Sequence, residues 1–585
     1  MGFYRFVGGV VSMTSLNTFL CALAALASFS ALAQPKPPDA GQILQQVQEP
    51  IRLPRREGPD VAPKPPPPPP VLRAQPTLKV TVTRFTFTGN TLYSDAQLQE
   101  VVKEFVGKSL NFDELNDVAT RVRAYHRQRG YFLAQAYLPE QTIQSGAVRI
   151  AIIEGRVGVL ELVRRPASRL SEQLLAGIIA THLNEGDLIT ETGLERPLLL
   201  INDLPTAQIA SEIRRSDTIG AADLRINVDK GEGLISGYLD TDNQGNRFTG
   251  EHRFGVNVNL NTPTGWGDQL SFRGFTTDEG MNYMRLSYLR PVGYYGTRLG
   301  ASISTFDYTL AKSEFEALKA NGNGEVKSVY GFHPIIRTRN TNFIFQLSYE
   351  DKQLTDRIDS ATPATVTNKS IGAWRSALVG DFRDGFLGGG LNAYTVSFTD
   401  GHLGITPQNQ AAQDQNLATG GHQTQGEFKK YNLDARRLQR LTDNTSLLLT
   451  LQAQRANKNL ASAEKFSIGG PNAVRAYAIS EGTGDEGSVV QVEYRYILPG
   501  FKPLGADLTV SGFADHGQST LNRKPNPTDN PNYRSIGGYG IGVSLGKDGN
   551  FLVKGMIAWK SDGEVSQSDA ARGAPLFWFQ AIKYF

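Results

Sequence analysis

From residue 231 onward, apolar and polar side chains alternate along short runs separated by turns rich in Gly, Asn, Asp and Thr. In FGVNVNL, residues 254–260, phenylalanine, valine and leucine occupy one face, while glycine and asparagine occupy the other. The runs NFIFQLSYE (342–350), SLLLTLQAQ (446–454) and VVQVEYRYI (489–497) show the same period of two. Such alternation predicts β-strands with one apolar and one polar face.

Two architectures accommodate these strands, a soluble sandwich and a transmembrane barrel. A sandwich would place its polar face in water, and residues 231–585 would have to form several such domains. Long polar inserts at 352–372 and 403–428, aromatic strand ends and the aromatic terminus LFWFQAIKYF favour a barrel with a polar lumen. We therefore predict a transmembrane antiparallel β-barrel over 231–585, with Phe585 as its assembly signal.

Upstream of residue 231, the apolar period lengthens to that of amphipathic helices. Residues 79–155 contain the strand VTVTRFTFTG, two helices, and the strands YFLAQAYL and AVRIAIIEG, in the order β-α-α-β-β. Residues 156–230 repeat this order more loosely, which indicates an internal repeat. The sequence thus predicts a mixed fold, with two α/β domains ahead of the barrel.

Capping signals mark the helix starts in these units. The pairs Ser94/Gln97 and Asn111/Glu114 have the spacing of capping boxes, in which a side chain and the backbone exchange hydrogen bonds. In the second unit, Thr192 with Glu195 is expected to cap the helix that runs into LLLINDLP.

Residues 1–33 have the features of a secretory signal peptide: a basic Arg5, an apolar stretch and the small-residue site ALA at 31–33. The alternative is a membrane anchor, but the small-residue site and the proline-rich sequence that follows favour cleavage. Cys21 is the one cysteine of the chain and lies within this segment. The mature chain is therefore expected to have no disulfide and no thiolate site.

Residues 34–78 combine a short helix with a spacer. Ile43, Leu44 and Val47 share one face of the predicted helix, and the run PKPPPPPP that follows is typical of extended polyproline II. A small helical element is thus tethered to the α/β units rather than fused to them.

Composition and motifs argue against catalysis and against nucleic acid. The net charge is +3 with 20% charged residues, which is not the balance of a nucleic-acid binder. The segment GVSLGKDG lacks the leading glycine and the Ser/Thr of a P-loop, and the seven histidines are scattered. We predict no catalytic residue, no cofactor and no metal.

Four short motifs occur in order along the chain: PDAGQILQQVQ, LLLINDLP, VRAY at 474–477 and FADHG at 513–517. Together with two α/β units ahead of a barrel, they resemble the TpsB transporters of two-partner secretion, whose α/β units are POTRA domains. The resemblance covers nearly all of the chain after residue 33. It implies sixteen barrel strands, a number that the length permits without selecting it over fourteen or eighteen.

The resemblance also assigns roles to residues. The loop that carries VRAY would fold back into the barrel lumen, where Arg475 would pair with Asp515 on the inner wall. The alternative is that Arg475 is one more charge in the lumen and that Asp515 is a turn residue. The chain departs from the family pattern at Ala476 and Thr206, where glycine is usual. The residues assigned to the lumen-loop and inner-wall motifs are Val474, Arg475, Tyr477, Phe513, Asp515 and Gly517.

Two further elements take their roles from the resemblance. The helix of residues 41–48 resembles the family's plug helix, which occupies the lumen at rest; a loose linker helix is the alternative. The α/β units would bind an unfolded chain as an added strand at segments 131–138 and 207–213, and ordinary paired strands are the alternative. The candidate edge residues are Tyr131, Ala134, Ala136, Gln208 and Ala210.

The resemblance implies an outer-membrane protein with periplasmic α/β units that passes one TpsA-type exoprotein, unfolded, to the cell surface. Its other implied partners are outer-membrane lipid and, during biogenesis, the barrel assembly machinery and periplasmic chaperones. Three alternatives stay open: an insertase of the same superfamily, a passive porin and a soluble adhesin. Two α/β units rather than more disfavour the insertase, and the terminal Phe585 disfavours the adhesin.

Overall fold

The computed structural model describes residues 37–47, 79–165, 168–231, 233–310, 312–527, 529–569 and 573–585. The predicted signal peptide, 1–33, and the proline run lie outside these residues. Within the described residues, no helix is long and apolar enough to cross a membrane. The helices are α1 (Ala40–Val47), α2 (Asp95–Val102), α3 (Phe112–Arg127), α4 (Glu172–His182), α5 (Glu191–Asn202), α6 (Ser313–Glu316) and α7 (Gln408–Gln415).

The first α/β unit packs α2 and α3 against a three-stranded sheet. Both predicted capping boxes are formed, at Ser94 and at Asn111. In the sheet, β2 runs parallel to β5, and β4 is antiparallel to β5 at one edge. The strands are β1 (Lys79–Thr81), β2 (Arg84–Thr88), β3 (Ser109–Asn111), β4 (Gln135–Tyr137) and β5 (Ala147–Ile153).

Two strand predictions in this unit are wrong. VTVTRFTFTG forms two strands because the chain changes partners at Val82, whose amide donates to the Lys108 carbonyl (3.0 Å). β1 therefore pairs with β3, outside the main sheet. YFLAQAYL is extended only at 135–137. The amides of Tyr131 and Ala134 instead close turns at the end of α3, on the His126 and Tyr131 carbonyls.

The second unit repeats the plan with the sheet order β6-β8-β7. The predicted cap is wrong by two residues: the Gly193 amide donates to Thr190 Oγ1 (3.0 Å), so Thr190 is the N-cap. Glu195 takes no part in the cap; its carboxylate instead accepts a hydrogen bond from the Arg339 amide of the barrel (3.2 Å). The strands are β6 (Arg156–Arg164), β7 (Ala207–Arg215) and β8 (Ala221–Lys230).

Sixteen antiparallel strands then close into a barrel in which β24 pairs with β9. This confirms the predicted barrel and the strand number that the resemblance implied. The strands are β9 (Ile235–Asp242), β10 (Arg253–Asn261), β11 (Gln269–Thr277), β12 (Asn282–Pro291), β13 (Arg298–Thr309), β14 (Ala320–Arg337), β15 (Thr341–Ile358), β16 (Thr365–Asp384), β17 (Gly390–Thr406), β18 (Gly426–Arg440), β19 (Thr445–Ala456), β20 (Glu486–Ile497), β21 (Asp507–Thr520), β22 (Tyr533–Lys547), β23 (Phe551–Lys560) and β24 (Leu576–Tyr584).

The motif LLLINDLP joins the second unit to the rim of the barrel. Asp203, which ends α5, accepts two hydrogen bonds from the Arg337 guanidinium (2.7 and 2.8 Å), and both side chains are buried. The Asp203 carbonyl accepts a third hydrogen bond from Arg298 (2.8 Å). Because a bidentate pair fixes orientation as well as position, this contact sets how the second unit faces the barrel.

Candidate functional site

Helix α1 lies inside the barrel. Its apolar face, formed by Ile43, Leu44 and Val47, is buried in one cluster with inward-facing side chains of the wall such as Phe306 and Tyr308. Asp39 precedes the helix, and its carboxylate accepts the Gln42 amide (3.0 Å), which satisfies a free N–H of the first turn. An amphipathic segment whose partner is the lumen wall is thereby stable as a helix of eight residues.

Polar contacts hold the other face of α1. The side-chain amides of Gln45 and Gln46 donate to the Ser462 carbonyl (2.6 Å) and to Ser480 Oγ (3.1 Å). Asp39 accepts from Lys369 Nζ (2.7 Å) and from Ser462 Oγ (2.6 Å). Burial alone would raise the pKa of Asp39, but the Lys369 ammonium and the hydrogen bonds outweigh it and hold that pKa well below its ordinary value. The carboxylate is therefore charged at neutral pH.

The loop between β19 and β20, residues 457–485, folds back into the lumen beside α1. Val474 and Tyr477 are fully buried there. A Cβ atom added at Gly517 would lie 2.9 Å from Val474 Cγ2 and 3.0 Å from Ile468 Cβ, so only glycine lets the loop approach the wall this closely. This is the physical reason for a glycine at the end of FADHG.

Arg475 meets the inner wall at the tip of this loop. Its Nε and Nη2 donate to the two oxygens of Asp515 (2.9 and 2.8 Å), and Nη1 donates to Glu493 Oε2 (2.5 Å). The guanidinium also lies 3.5 Å from the ring centroid of Phe513. The Trp578 indole N–H donates to the Arg475 carbonyl (2.7 Å). Met556 Sδ of β23 lies 3.9 Å from Arg475 Nη1, so side chains of four strands, β20, β21, β23 and β24, contact this one loop residue.

A second anchor ties the same loop to the loop between β23 and β24. Glu481 is fully buried and accepts two hydrogen bonds from Arg534 (3.0 and 3.1 Å). Glu481 also accepts from the amide and hydroxyl of Ser568 (2.9 and 2.8 Å). The Tyr477 hydroxyl donates to Asp562 (2.5 Å), and burial together with this carboxylate raises the pKa of Tyr477 well above its ordinary value.

Sequence reasoning missed Glu493, Glu481 and Trp578. Alternation already places Glu493 on the polar face of β20, so its inward direction is readable from the sequence. Glu481 lies in a loop without periodicity, and its partner Arg534 is 53 residues away. Within the described residues, no three His, Cys, Asp or Glu side chains form a metal-binding group.

Both departures from the family glycines are accommodated. Ala476 does not adopt a positive φ, and its methyl group faces Gly538, where an added Cβ would lie 2.5 Å away. Thr206 does adopt a positive φ of 67°, an uncommon conformation for a β-branched residue. Its hydroxyl lies 3.3 Å from that of Thr262, in the first periplasmic turn of the barrel.

The candidate edge residues separate into two groups. Gln208 and Ala210 are exposed on β7, which is an edge strand, while Ala207 and Ile209 point into the core. Ala136 lies on the edge strand β4 with its side chain buried. Tyr131 and Ala134 lie in the turn before β4.

The chain ends at the seam of the barrel. The Phe585 amide donates to the Gly237 carbonyl, and the Gly237 amide donates to the Phe585 carbonyl, both at 3.0 Å. The Phe585 ring lies over Gly237 and is 56% exposed on the outer wall. The terminal residue therefore extends the pairing of β24 with β9.

Comparison with known proteins agrees with this architecture. Residues 220–545 match the family of haemolysin secretion/activation proteins ShlB/FhaC/HecB, and residues 80–155 match the ShlB-type POTRA domain. The heme/hemopexin transporter protein HuxB of Haemophilus influenzae is 26% identical over 492 residues, 84% of each chain. The outer membrane transporter CdiB of Dickeya dadantii (strain 3937) is 22% identical over 477 residues, 80% of each chain.

The solved structure of CdiB from Escherichia coli has a TM-score of 0.69 at 17% identity, covering 99% of this chain and 100% of that chain. The structure of CdiB from Acinetobacter baumannii gives 0.60 at 16% identity. The family match spans more than half of the chain, and the fold agrees over nearly all of it. The chain therefore belongs to the ShlB/FhaC/HecB family: it is a non-enzymatic transporter of two-partner secretion, an outer-membrane barrel with periplasmic POTRA domains that exports a partner exoprotein.

Proposed function

We propose that export proceeds by release of α1 from the lumen while Arg475 keeps the lumen loop on the wall. The observation that carries this proposal is the contrast between the two attachments. Helix α1 is held by its apolar face, by hydrogen bonds of Gln45, Gln46 and the Ala40 amide, and by the contacts of Asp39 with Lys369 and Ser462, none of which is a bidentate ion pair. Arg475 is held by two buried carboxylates at once. The helix is the weaker of the two and gives way first.

Departure of α1 opens the path for the cargo. Beside the helix, the lumen retains a polar cavity of about 570 Å³, bordered by Gln45, Gln46, Lys352 and Lys430. A polypeptide needs the volume of the helix in addition. We propose that the cargo is one large TpsA-type exoprotein, and that its folding outside the cell gives export its direction.

Capture of the cargo is assigned to the two periplasmic domains, 79–155 and 156–230, with the helix and linker of 34–78 ahead of them and the barrel of 231–585 after them. The exposed Gln208 and Ala210 support β7 as the edge to which an unfolded segment adds as a strand. For assembly of the barrel itself, we propose recognition of Phe585 by the barrel assembly machinery after delivery by periplasmic chaperones.

The test is co-expression with the exoprotein encoded beside this chain. Cargo at the surface and in the medium is measured for the wild type, for Arg475→Ala and for deletion of 79–230, with heat-modifiable migration as the check that the barrel has folded. We expect both changes to abolish export while the barrel still inserts. Export at the wild-type level from either variant would contradict the role assigned to the part it lacks.

A further inference from the structure

In transmembrane barrels generally, a girdle of aromatic side chains lies on the outer wall where lipid meets water. Toward the extracellular side, this girdle contains the pairs Tyr349–Trp374, Phe398–Tyr431 and Tyr539–Trp559, with ring centroids 5.0, 5.0 and 6.0 Å apart. Each of these residues lies eight to ten residues from the periplasmic end of its strand. The three pairs therefore mark one height on the wall.

Between the second and third pairs, strands β19, β20 and β21 carry no Phe, Tyr or Trp at this height. Ala453, Ser488 and Gln518 point outward on these strands and lie in one row, because Ala453 pairs with Ser488 and Ser488 with Gln518. A groove of about 740 Å³ occupies the gap, with Tyr431 on one side and Tyr533 on the other. Ala453 and Ser488 are small, and the groove above them leaves room on the outer wall for another molecule.

The floor of this groove is polar. The Tyr533 hydroxyl donates to Gln518 Oε1 (2.9 Å), and the Gln518 side-chain amide donates to Ser488 Oγ (3.3 Å). Polar groups on the lipid face of a barrel are costly against acyl chains, so a floor of this kind favours a polar occupant.

Unbalanced positive charge lies at the extracellular end of the groove. Arg455 and Arg523 both approach the same oxygen of Glu486, at 3.7 and 3.1 Å. Two guanidinium groups facing one carboxylate leave one positive charge over. The Arg455 side chain is 77% exposed, so this charge is accessible at the level of the headgroups.

The opposite end of the groove is apolar. Leu433 borders it, and Leu451 and Val490 continue the outward face toward the middle of the membrane, both well exposed. From outside to inside the order is therefore cation, polar floor, apolar wall. An anionic headgroup, a polar sugar and an acyl chain follow one another in the same order in a phosphorylated glycolipid.

We propose that this groove binds a phosphorylated glycolipid of the outer leaflet, with its phosphate on Arg455 and Arg523. The tyrosine rings would flank the sugar, Ser488 and Gln518 would bond to its hydroxyls, and Leu433, Leu451 and Val490 would receive an acyl chain. Basic residues beside an apolar membrane surface recognise lipid headgroups in this way.

The test measures lipid binding to the full-length, detergent-purified barrel by native mass spectrometry, with diphosphoryl lipid A as the probe. A charge-assisted hydrogen bond contributes about 1.5–3 kcal/mol, so Arg455→Gln should weaken binding by about tenfold or more. Ser488→Leu, which fills the groove without changing charge, should weaken it as well. Arg357→Gln is the matched control, because Arg357 is an exposed arginine at the extracellular end of β15, away from the groove.

Two further measurements distinguish binding of the whole lipid from binding of its phosphate groups alone. Lipid A stripped of both phosphates should bind the wild type as weakly as the intact lipid binds Arg455→Gln. Inorganic phosphate at millimolar concentration should leave the lipid bound, because it lacks the acyl chains. Equal binding by Arg455→Gln and Arg357→Gln, or no effect of Ser488→Leu in a barrel that keeps its heat-modifiable migration, would overturn the proposal.

Discussion

Removal of the Arg475 guanidinium should free the lumen loop. Asp515 and Glu493 would then face each other with no cation from the loop, and breaking a buried pair of this kind costs about 3–5 kcal/mol. That free energy corresponds to a shift of roughly 100- to 5,000-fold toward the open loop. Arg475→Lys should fall between wild type and Arg475→Ala, since an ammonium keeps the charge but not the fork of donors.

Hydrogen–deuterium exchange of the peptide 469–484 in lipid nanodiscs measures this opening directly. The matched control is Arg273→Ala, which breaks a bidentate pair with Asp240 (2.6 and 2.9 Å) between wall strands of the same lumen. We expect loss of protection in Arg475→Ala and wild-type protection of the loop in Arg273→Ala. Unchanged exchange in Arg475→Ala, or equal loss in both variants, would refute the assignment of Arg475 as the loop's anchor.

Three further perturbations test separate contacts. Gly538→Ala should drive its new methyl group against that of Ala476 and reduce the free energy of docking the lumen loop on the wall by about 1–3 kcal/mol. Ala476→Gly should restore that free energy in the double variant. Hydrogen–deuterium exchange of 469–484 is the readout, and additive effects of the two substitutions would contradict the contact. Asp203→Asn leaves Arg337 buried without its carboxylate partner, which should loosen the second domain on the barrel. The distribution of distances between spin labels at residue 219 and on the barrel rim should therefore broaden. An unchanged distribution would mean that Asp203 does not orient the second domain. Burial raises the pKa of Glu154, but hydrogen bonds from Thr91 and Leu92 and the charge of Arg156 outweigh it and lower that pKa. The stability that the Glu154 carboxylate contributes is therefore complete above the ordinary pKa of 4.5 and is lost as the pH falls through the lowered value. Exchange protection of the 89–92 turn should decline in that acidic window in the wild type and be independent of pH in Glu154→Gln.

The strand pattern and the helix caps are the parts of the fold that short stretches of the sequence determine. Alternation in runs such as 489–497 places Glu493 on the polar face, and the capping boxes at Ser94 and Asn111 form as their spacing predicts. These signals are local, because each depends on residues within a few positions of one another. The failure at Val82 is of the opposite kind, since a partner outside the segment, the Lys108 carbonyl, determines the backbone there, whereas the cap at Thr190 is as local as the one predicted at Thr192.

The lumen could be predicted only in part for the same reason. Periodicity shows that a side chain points inward, but it does not show which residue across the barrel it meets. The pairing of Arg475 with Asp515 was expected from the resemblance, whereas the buried contacts of Glu481 with Arg534 and Ser568 depend on how three loops pack together. The family match, in turn, decides between a transporter and the porin, insertase and adhesin alternatives, which the strand pattern alone left open.

Tethering α1 in the lumen tests the export mechanism most directly. Gln46 Nε2 lies 3.1 Å from Ser480 Oγ, so cysteines at these two positions are within reach of a short thiol-to-thiol cross-linker. With the bridge formed in Gln46→Cys/Ser480→Cys, we expect surface exoprotein to fall to background, while each single-cysteine variant treated with the same reagent exports at the wild-type level. Undiminished export by the bridged protein would show that the cargo does not need the space that α1 occupies.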